Sequence, residues 1–453
     1  MTMKPVTSLQ DFLSSIFERG VAIARPREER SFADLCESLL SEQGEVSGHL
    51  IAQAILSRYE RLDADGRRDF FRMLNERFDV DPEAIASAAR EYAEDRSARR
   101  YSELLQRAEP RRQELLRRLN RVSGATARLV KMRSDLLRLL KSEPALERTD
   151  RDFQHLFASW FNRGFLELRP IDWGAPARLL EKIIDYEAVH AIDDWDDLRR
   201  RMQPADRRCF AFFHPAMPDD PLIFVEVALT SGIPDSIQAV LAEDREPIDP
   251  SAVNTAVFYS ISNCQEGLRG VSFGNFLIKQ VASDLAESLP QLRQFVTLSP
   301  VPGLMRWITG HPAIEADSEL GDALRIAAAY ASGAPPLAEN EGGASAEDVM
   351  QMLAAMYLLE AKRDDGQPVD PVARFHLGNG ASLEAIHFGA DTSAKGLRES
   401  GSVMVNYRYD LKKVEENHEA YAHQRRVTAS RAVRALLPKP SLARLRKGVE
   451  NNG

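Results

Sequence analysis

At 453 residues, with 44% apolar and 28% charged side chains, the chain is too long for one ordinary core and lies inside the globular composition range, so two or three domains are expected. Its formal charge of -9 and pI near 5.7 argue against wholesale binding of nucleic acid or an anionic membrane, which need a net basic field or a clear basic face. The cysteines, Cys36, Cys209 and Cys264, are few, odd in number, far apart and free of any CxxC pairing, which is the usage of a reducing compartment.

The start, Met1 to Phe12, lacks a basic segment followed by an apolar stretch, and no apolar run reaches the roughly 18 residues that a membrane helix needs. The end, Glu450-Asn451-Asn452-Gly453, carries no Ser-Lys-Leu address. These features predict a cytoplasmic protein with neither nucleic acid nor membrane among its partners.

From Ser8 to about Pro144 β-branched runs are almost absent. Leucines recur at helical spacing: Leu104, Leu105, Leu115, Leu116 and Leu119, then Leu129, Leu136, Leu137 and Leu140. This half is expected to be an all-α bundle, with a domain boundary at residues 152 and 153. The arginines between Arg96 and Arg138 alternate with those leucines and with Glu103, Glu109, Glu114 and Asp135, which fits a solvated helix face or a subunit contact better than an RNA-binding arm.

After Phe153 aromatics, prolines and short apolar runs take over. Asp193-Asp-Trp-Asp-Asp197 lacks the glycine and closing glutamate of a calcium loop, and a helix-initiating acidic turn explains it. Leu222 to Leu229, Thr255 to Ser262 and Phe295 to Ser299 are predicted strands by length and by Val, Ile and aromatic content. Between the last two, Leu277, Ile278, Val281, Ala282 and Leu285 predict a helix over 273–289, stopped at Pro290. Strand, loop, helix, strand is a crossover unit that makes its two strands parallel neighbours. Ser332 to Asp348, rich in Gly, Ala, Pro and Glu, has no periodicity and is expected to be a loop between helices. Gly378-Asn379-Gly380 interrupts Val372 to Phe388, which requires either a hairpin or a helix end running into a strand. Ser402 to Tyr409 is a predicted final strand, and Lys413 to Leu437 a long closing helix stopped by Pro438. The fold class expected is α+β.

Chemistry concentrates in Asn263-Cys-Gln-Glu-Gly-Leu-Arg-Gly-Val-Ser-Phe-Gly-Asn275. Gly267, Gly270 and Gly274 allow backbone amides to approach a diphosphate closely, and the following helix offers free N-H groups; a tight structural turn explains the same glycines. Ser299 ends a strand, where ligands of open sheets bind, or caps the helix that begins near Leu304. His376 precedes the Gly-Asn-Gly turn, with His387 and His214 as rivals. Glu226, inside an apolar strand run, needs a partner if buried. No HExxH, CxxC or GxSxG motif occurs. Lys279 and Arg269 are candidates for a phosphate, with solvated surface positions as the alternative.

At these residues the chain resembles the malonyl-CoA decarboxylase family. The resemblance runs from Phe258-Tyr-Ser-Ile-Ser262 through Gln265-Glu-Gly-Leu-Arg-Gly270 and Phe276-Leu-Ile-Lys279 to Leu298-Ser-Pro-Val-Pro-Gly303. His214-Pro215 with Pro221-Leu222, Val372-Ala-Arg-Phe-His-Leu377 with Asn379-Gly380, and Val405-Asn-Tyr-Arg-Tyr409 extend it, covering roughly Phe153 to Leu437. It implies a helical domain at 1–152 used in oligomerisation, and a GNAT-like (acyl-CoA N-acyltransferase) mixed-sheet catalytic domain at 153–453. It also implies malonyl-CoA as substrate, no metal or organic cofactor, and a homotetramer. The CoA pyrophosphate loop would be Gly267, Arg269, Gly270, Val271, Ser272, Phe273, Gly274 and Asn275, with Ser272 where some members carry an acidic residue. The family's serine-histidine pair maps onto Ser299 and His376, and its tyrosine onto Tyr409. The reactions left beside decarboxylation are CoA-dependent acyl transfer on the same fold, or binding of CoA esters by a non-catalytic scaffold.

Overall fold

In the computed structural model, which describes residues 30–41, 45–249, 251–271, 277–331 and 345–438, the chain separates into two compact units. The first runs to Leu166 and takes in two later segments, His214–Asp220 and residues 265–271; the second contains the sheet. Expected features at 8–29, 272–276 and 332–344, and both chain ends, lie outside the described residues.

The first unit is helical, as its leucine spacing predicts. Helices span Phe32–Leu40, Glu45–Glu60, Ala64–Arg77, Pro82–Glu94, Ala98–Ala108, Arg111–Leu119, Ala125–Leu139 and Glu147–Trp160. Their starts carry side-chain caps where the sequence supplies them: Ser31 with Asp34 in a reciprocal box, Asp63, Asp81 followed by Pro82, and Ser97. Leu115, Leu116, Leu119, Leu129, Leu136 and Leu137 are buried, whereas Leu105 is 51% exposed and the helix Ala98–Ala108 buries no residue. The last helix of the unit passes through residues 152 and 153, and the first strand begins at Glu167.

Two arginines depart from the expected solvated face. Arg112 is buried between Asp152 and Asp79, and Arg133 between Asp150, at 2.7 Å, and the carbonyl oxygens of Gly267 and Arg269, at 2.8 and 2.9 Å. A desolvated guanidinium needs several acceptors at once, so these side chains tie segments together rather than solvate a surface. Gly267 packs so closely on the helix Ala125–Leu139 that a Cβ there would stand 1.9 Å from the Val130 carbonyl oxygen.

The second unit is built on one eight-stranded sheet: β1 (Glu167–Ile171), β2 (Arg207–Phe213), β3 (Ile223–Thr230), β4 (Thr255–Asn263), β5 (Gln294–Thr297), β6 (Ser299–Pro300), β7 (Ser382–His387) and β8 (Met404–Arg408). Strands β1 to β4 form an antiparallel meander; β4 and β5 are parallel through the crossover helix Leu277–Ser288, as the strand, loop, helix, strand order predicts. The five apolar residues that predict this helix are all buried. β8 then pairs antiparallel with β5, β6 and β7.

Three predicted elements come out differently. The strand from Phe295 to Ser299 breaks at Leu298, whose N-H donates to Phe258 O, while the Asn406 side-chain amide serves the Thr297 carbonyl at 2.8 Å. The closing helix is two helices, Val414–Gln424 and Arg431–Ala435. Arg425 adopts a left-handed φ of 54°, and the segment after it pairs with β7 through Leu383 N to Thr428 O and Ser430 N to Leu383 O, both 2.9 Å. The segment expected to be a loop up to Asp348 turns helical at its end, because Ser345 and Asp348 form a capping box for Ala346–Leu359. At Gly378 the structure takes the second of the two expected forms, with helix Pro371–Gly378 leading into β7. The acidic run is the expected helix start, Asp194 accepting Asp197 N.

Glu226 sits in β3 with no exposure. Arg201 Nη1 lies 3.6 Å away, and neither carboxylate oxygen has a hydrogen-bond partner among the described residues. Burial, with the like charge of Glu187, pushes its carboxyl up to about 8 against the pull of Arg201. The folded protein therefore keeps this proton up to about pH 8, whereas the unfolded chain releases it near 4.5, and stability is lost as the pH rises through that window. Glu226→Gln should raise the melting temperature at about pH 8 and give no such gain near pH 4.5; an equal gain at both would show that the folded carboxyl is ionised. Gly267→Ala should cost about 1 to 3 kcal/mol in denaturant unfolding, as overpacking does, and an unchanged midpoint would show that the helix can yield.

Candidate active site

The helix Pro371–Gly378 presents His376 in its last turn. It starts on Asp370, whose carboxylate accepts Ala373 N at 2.7 Å, with Pro371 at the first position. It ends at Asn379 and Gly380, where φ is 82° and a Cβ would come within 2.1 Å of the Val414 carbonyl, so only glycine permits the turn into β7. Ser299 is held on β6 by its pairing with Val405, and Tyr409 follows β8 with its N-H on Phe295 O at 2.8 Å.

These three elements bring together the serine, histidine and tyrosine singled out above. Ser299 Oγ lies 3.1 Å from His376 Nε2, and Tyr409 Oη 2.8 Å from His376 Nδ1. Ser299 is 6% exposed, His376 3% and Tyr409 1%. Ser299 does not cap the next helix, Leu304–Thr309, whose cap position is Gly303. Burial pushes the His376 imidazole down to about 3 and the Tyr409 phenol well up, so near neutral pH the ring is uncharged and the phenol keeps its proton.

Two side chains that sequence reading passed over complete the arrangement. Thr297 Oγ1 accepts the Ser299 hydroxyl at 2.8 Å and Tyr407 N-H at 3.1 Å, and the Tyr407 ring stacks on His376, centroids 4.6 Å apart and planes 24° from parallel. Each lies two residues before a residue already chosen, Thr297 before Ser299 and Tyr407 before Tyr409. The two-residue alternation of a strand was the signal that could have found them.

The rival histidines are engaged elsewhere. His387 Nε2 meets Asn406 Oδ1 at 2.5 Å, and His214, in the helical unit, meets Trp160 O at 3.0 Å and accepts Ala216 N at 3.1 Å. Lys279 is paired with Glu415 at 2.6 Å. Of the glycine-rich loop, Gly267 to Val271 are described, and they belong to the helical unit. Arg269 is exposed and Gly270 has a φ of 80°. The amides of Leu268, Arg269 and Val271 are spent on carbonyls of the loop itself, so this stretch is a structural turn strapped by Arg133, whatever else it holds. Ser272, Phe273, Gly274 and Asn275 lie outside the described residues.

An uncharged imidazole with a phenol on one nitrogen and a hydroxyl on the other can pass a proton along that line, provided the acceptor is a strong base such as a carbanion or enolate. Comparison with known proteins agrees with the residue blocks named above. The family model described as the malonyl-CoA decarboxylase C-terminal domain matches residues 164–447, and that of the N-terminal domain matches 78–161. A goose protein (Anser anser anser) named malonyl-CoA decarboxylase, mitochondrial, is 33% identical over 94% of this chain and 90% of its own length. A crystal structure titled malonyl-CoA decarboxylase from Agrobacterium vitis is 50% identical, with TM-score 0.83 over 90% of this chain and 100% of that one. One from Rhodopseudomonas palustris is 49% identical, with TM-score 0.82 over 89% and 98%. With both halves of the chain matched in order, the protein belongs to the malonyl-CoA decarboxylase family.

Proposed function

We propose that the chain converts malonyl-CoA to acetyl-CoA and carbon dioxide, and that Ser299, His376 and Tyr409 carry the chemistry. The observation that supports this most directly is the buried line from Tyr409 Oη through both imidazole nitrogens to Ser299 Oγ, inside the part of the chain that matches the family's C-terminal domain.

Cleavage of the carboxylate from the malonyl thioester sends the bond's electron pair into the thioester carbonyl, giving an enolate that must be stabilised on oxygen and protonated on carbon. The thioester is itself the electron sink, so the step calls for neither metal nor organic cofactor. In this reading the Ser299 hydroxyl hydrogen-bonds the malonyl group; a preorganised donor to a developing oxyanion is worth roughly 3 kcal/mol. His376 delivers its ring proton from Nε2 to the enolate carbon while Nδ1 takes the proton of Tyr409; a proton from water then reaches Nε2 and Nδ1 returns its hydrogen to the phenolate, which restores the starting ring. One proton enters per turnover. General acid catalysis of this kind contributes about 100 to 10,000-fold.

We assign the CoA diphosphate to the loop from Gly267 through Asn275, supported by the left-handed Gly270 and the exposed Arg269. A cytoplasmic homotetramer is part of the same reading; the location rests on the cysteine usage and the assembly on the family resemblance. Among the described residues no helix is long and apolar enough to cross a membrane.

Incubation with malonyl-CoA alone should yield carbon dioxide and acetyl-CoA in equal amounts without free CoA. Free CoA that appears only with an added amine would make the protein an acyltransferase, and binding without turnover would make it a scaffold. Ser299→Ala and His376→Asn should fold and lose at least about 100-fold in kcat, the lower range of acid catalysis; wild-type turnover by either removes that residue from the mechanism. Because His376 is pushed down to about 3, kcat should show no inflection near the ordinary histidine value of about 6.5. A malonyl adduct in intact-protein mass would replace the non-covalent course with attack by Ser299.

A further inference from the structure

The hydrogen bonds around Ser299 have a direction. Its hydroxyl donates to Thr297 Oγ1 at 2.8 Å, and Thr297 Oγ1 also receives Tyr407 N-H at 3.1 Å, an unambiguous donor. A serine hydroxyl has one hydrogen. In the resting site that hydrogen lies on Thr297, and an oxygen of the malonyl group takes it over when substrate binds; in both states the Ser299 oxygen can meet His376 Nε2, 3.1 Å away, only as an acceptor. The ring hydrogen must then sit on Nε2. An uncharged imidazole carries only one, so Nδ1 accepts, and the Tyr409 hydroxyl at 2.8 Å is its donor. The network runs one way, from Tyr409 to His376 to Ser299 to Thr297.

We propose that Thr297 is a positioning residue: by accepting the Ser299 hydrogen it holds His376 in the tautomer with hydrogen on Nε2, the nitrogen beside Ser299. This rests on the reading of Ser299 and His376 given above. The opposite polarity would put the Ser299 hydrogen on Nε2 and the ring hydrogen on Nδ1, facing Tyr409. That arrangement arms Ser299 as a nucleophile with the ring as base. The proposed one leaves Nε2 loaded for delivery: its N-H bond breaks as the C-H bond of acetyl-CoA forms, the electron pair stays on nitrogen, and Nδ1 takes the Tyr409 hydrogen. Thr297 thereby selects acid behaviour over base behaviour in a pair that could support either.

The threonine is well placed to impose this. It has no exposure, its carbonyl is held by the Asn406 amide at 2.8 Å, and its hydroxyl oxygen is anchored by the backbone of the strand that carries Tyr407 and leads to Tyr409. Valine at 297 keeps the shape and the strand preference but removes the acceptor; serine keeps the acceptor.

The test is two-bond nitrogen-proton correlation NMR on histidine-labelled protein, with the His376 signals identified by their loss in His376→Asn. The wild type should show hydrogen on Nε2 and a bare Nδ1. Thr297→Val should populate the Nδ1-H form and lower kcat about tenfold or more with KM changed less than about twofold, while Thr297→Ser restores both the spectrum and the rate. A wild-type ring protonated on Nδ1 overturns the proposal without any variant having to fold, and so does a Thr297→Val enzyme that keeps hydrogen on Nε2. Neither result depends on Ser299→Ala losing activity, so failure of the tautomer assignment is distinguishable from failure of the decarboxylase reading.

Discussion

An imidazole removed from water must find partners for both of its nitrogens inside the protein, and around His376 those partners are hydroxyls. This single requirement explains why three remote pieces of chain meet where they do. The strand pair β6 and β8 fixes the serine, the residue directly after β8 is the tyrosine, held by its N-H on Phe295 O, and a short helix with a strong cap at Asp370 delivers the ring between them. Because the partners are uncharged, burial is left unopposed and the ring stays neutral, which suits a proton donor to a carbon base but not to a weak one.

The same sheet contains a buried group treated in the opposite way. Glu226 has a guanidinium at 3.6 Å but no hydrogen bond among the described residues, and it resolves the conflict by holding its proton. His376 has every nitrogen served and resolves the conflict by geometry. Two polar groups of comparable burial thus differ in whether the surrounding strands supply directional partners, and the one that is fully served has a tyrosine ring laid flat against it.

In the helical unit the recurring device is the buried arginine. Arg133 joins two helices through Asp150 and holds the glycine-rich turn by two carbonyls, while the missing side chain of Gly267 lets that turn lie on the helix backbone. A glycine pattern that suggests ligand contact is therefore satisfied, over its described part, by packing. A close approach to backbone and a close approach to phosphate ask the same thing of a residue, the lack of a Cβ, and sequence alone does not separate them.

What the sequence determined was periodicity and local chemistry. The leucine spacing of the helical half, the buried face of Leu277–Ser288, the strand, helix, strand order and the family blocks were legible because each depends on neighbours within a few positions. Ser299, His376 and Tyr409 were legible only through the family resemblance; on their own, a strand-end serine and one histidine among nine had better structural explanations than catalytic ones. Tertiary structure alone decided the rest. The break at Leu298, the interruption of the closing helix at Arg425 and the burial of Arg112 and Arg133 all arise from contacts far along the chain, where a strand, a carboxylate or a carbonyl competes with local preference. The partnership of Thr297 with Ser299 and of Tyr407 with His376 was equally hidden, since hydrogen-bond direction and ring stacking depend on atoms that only the folded sheet places within reach.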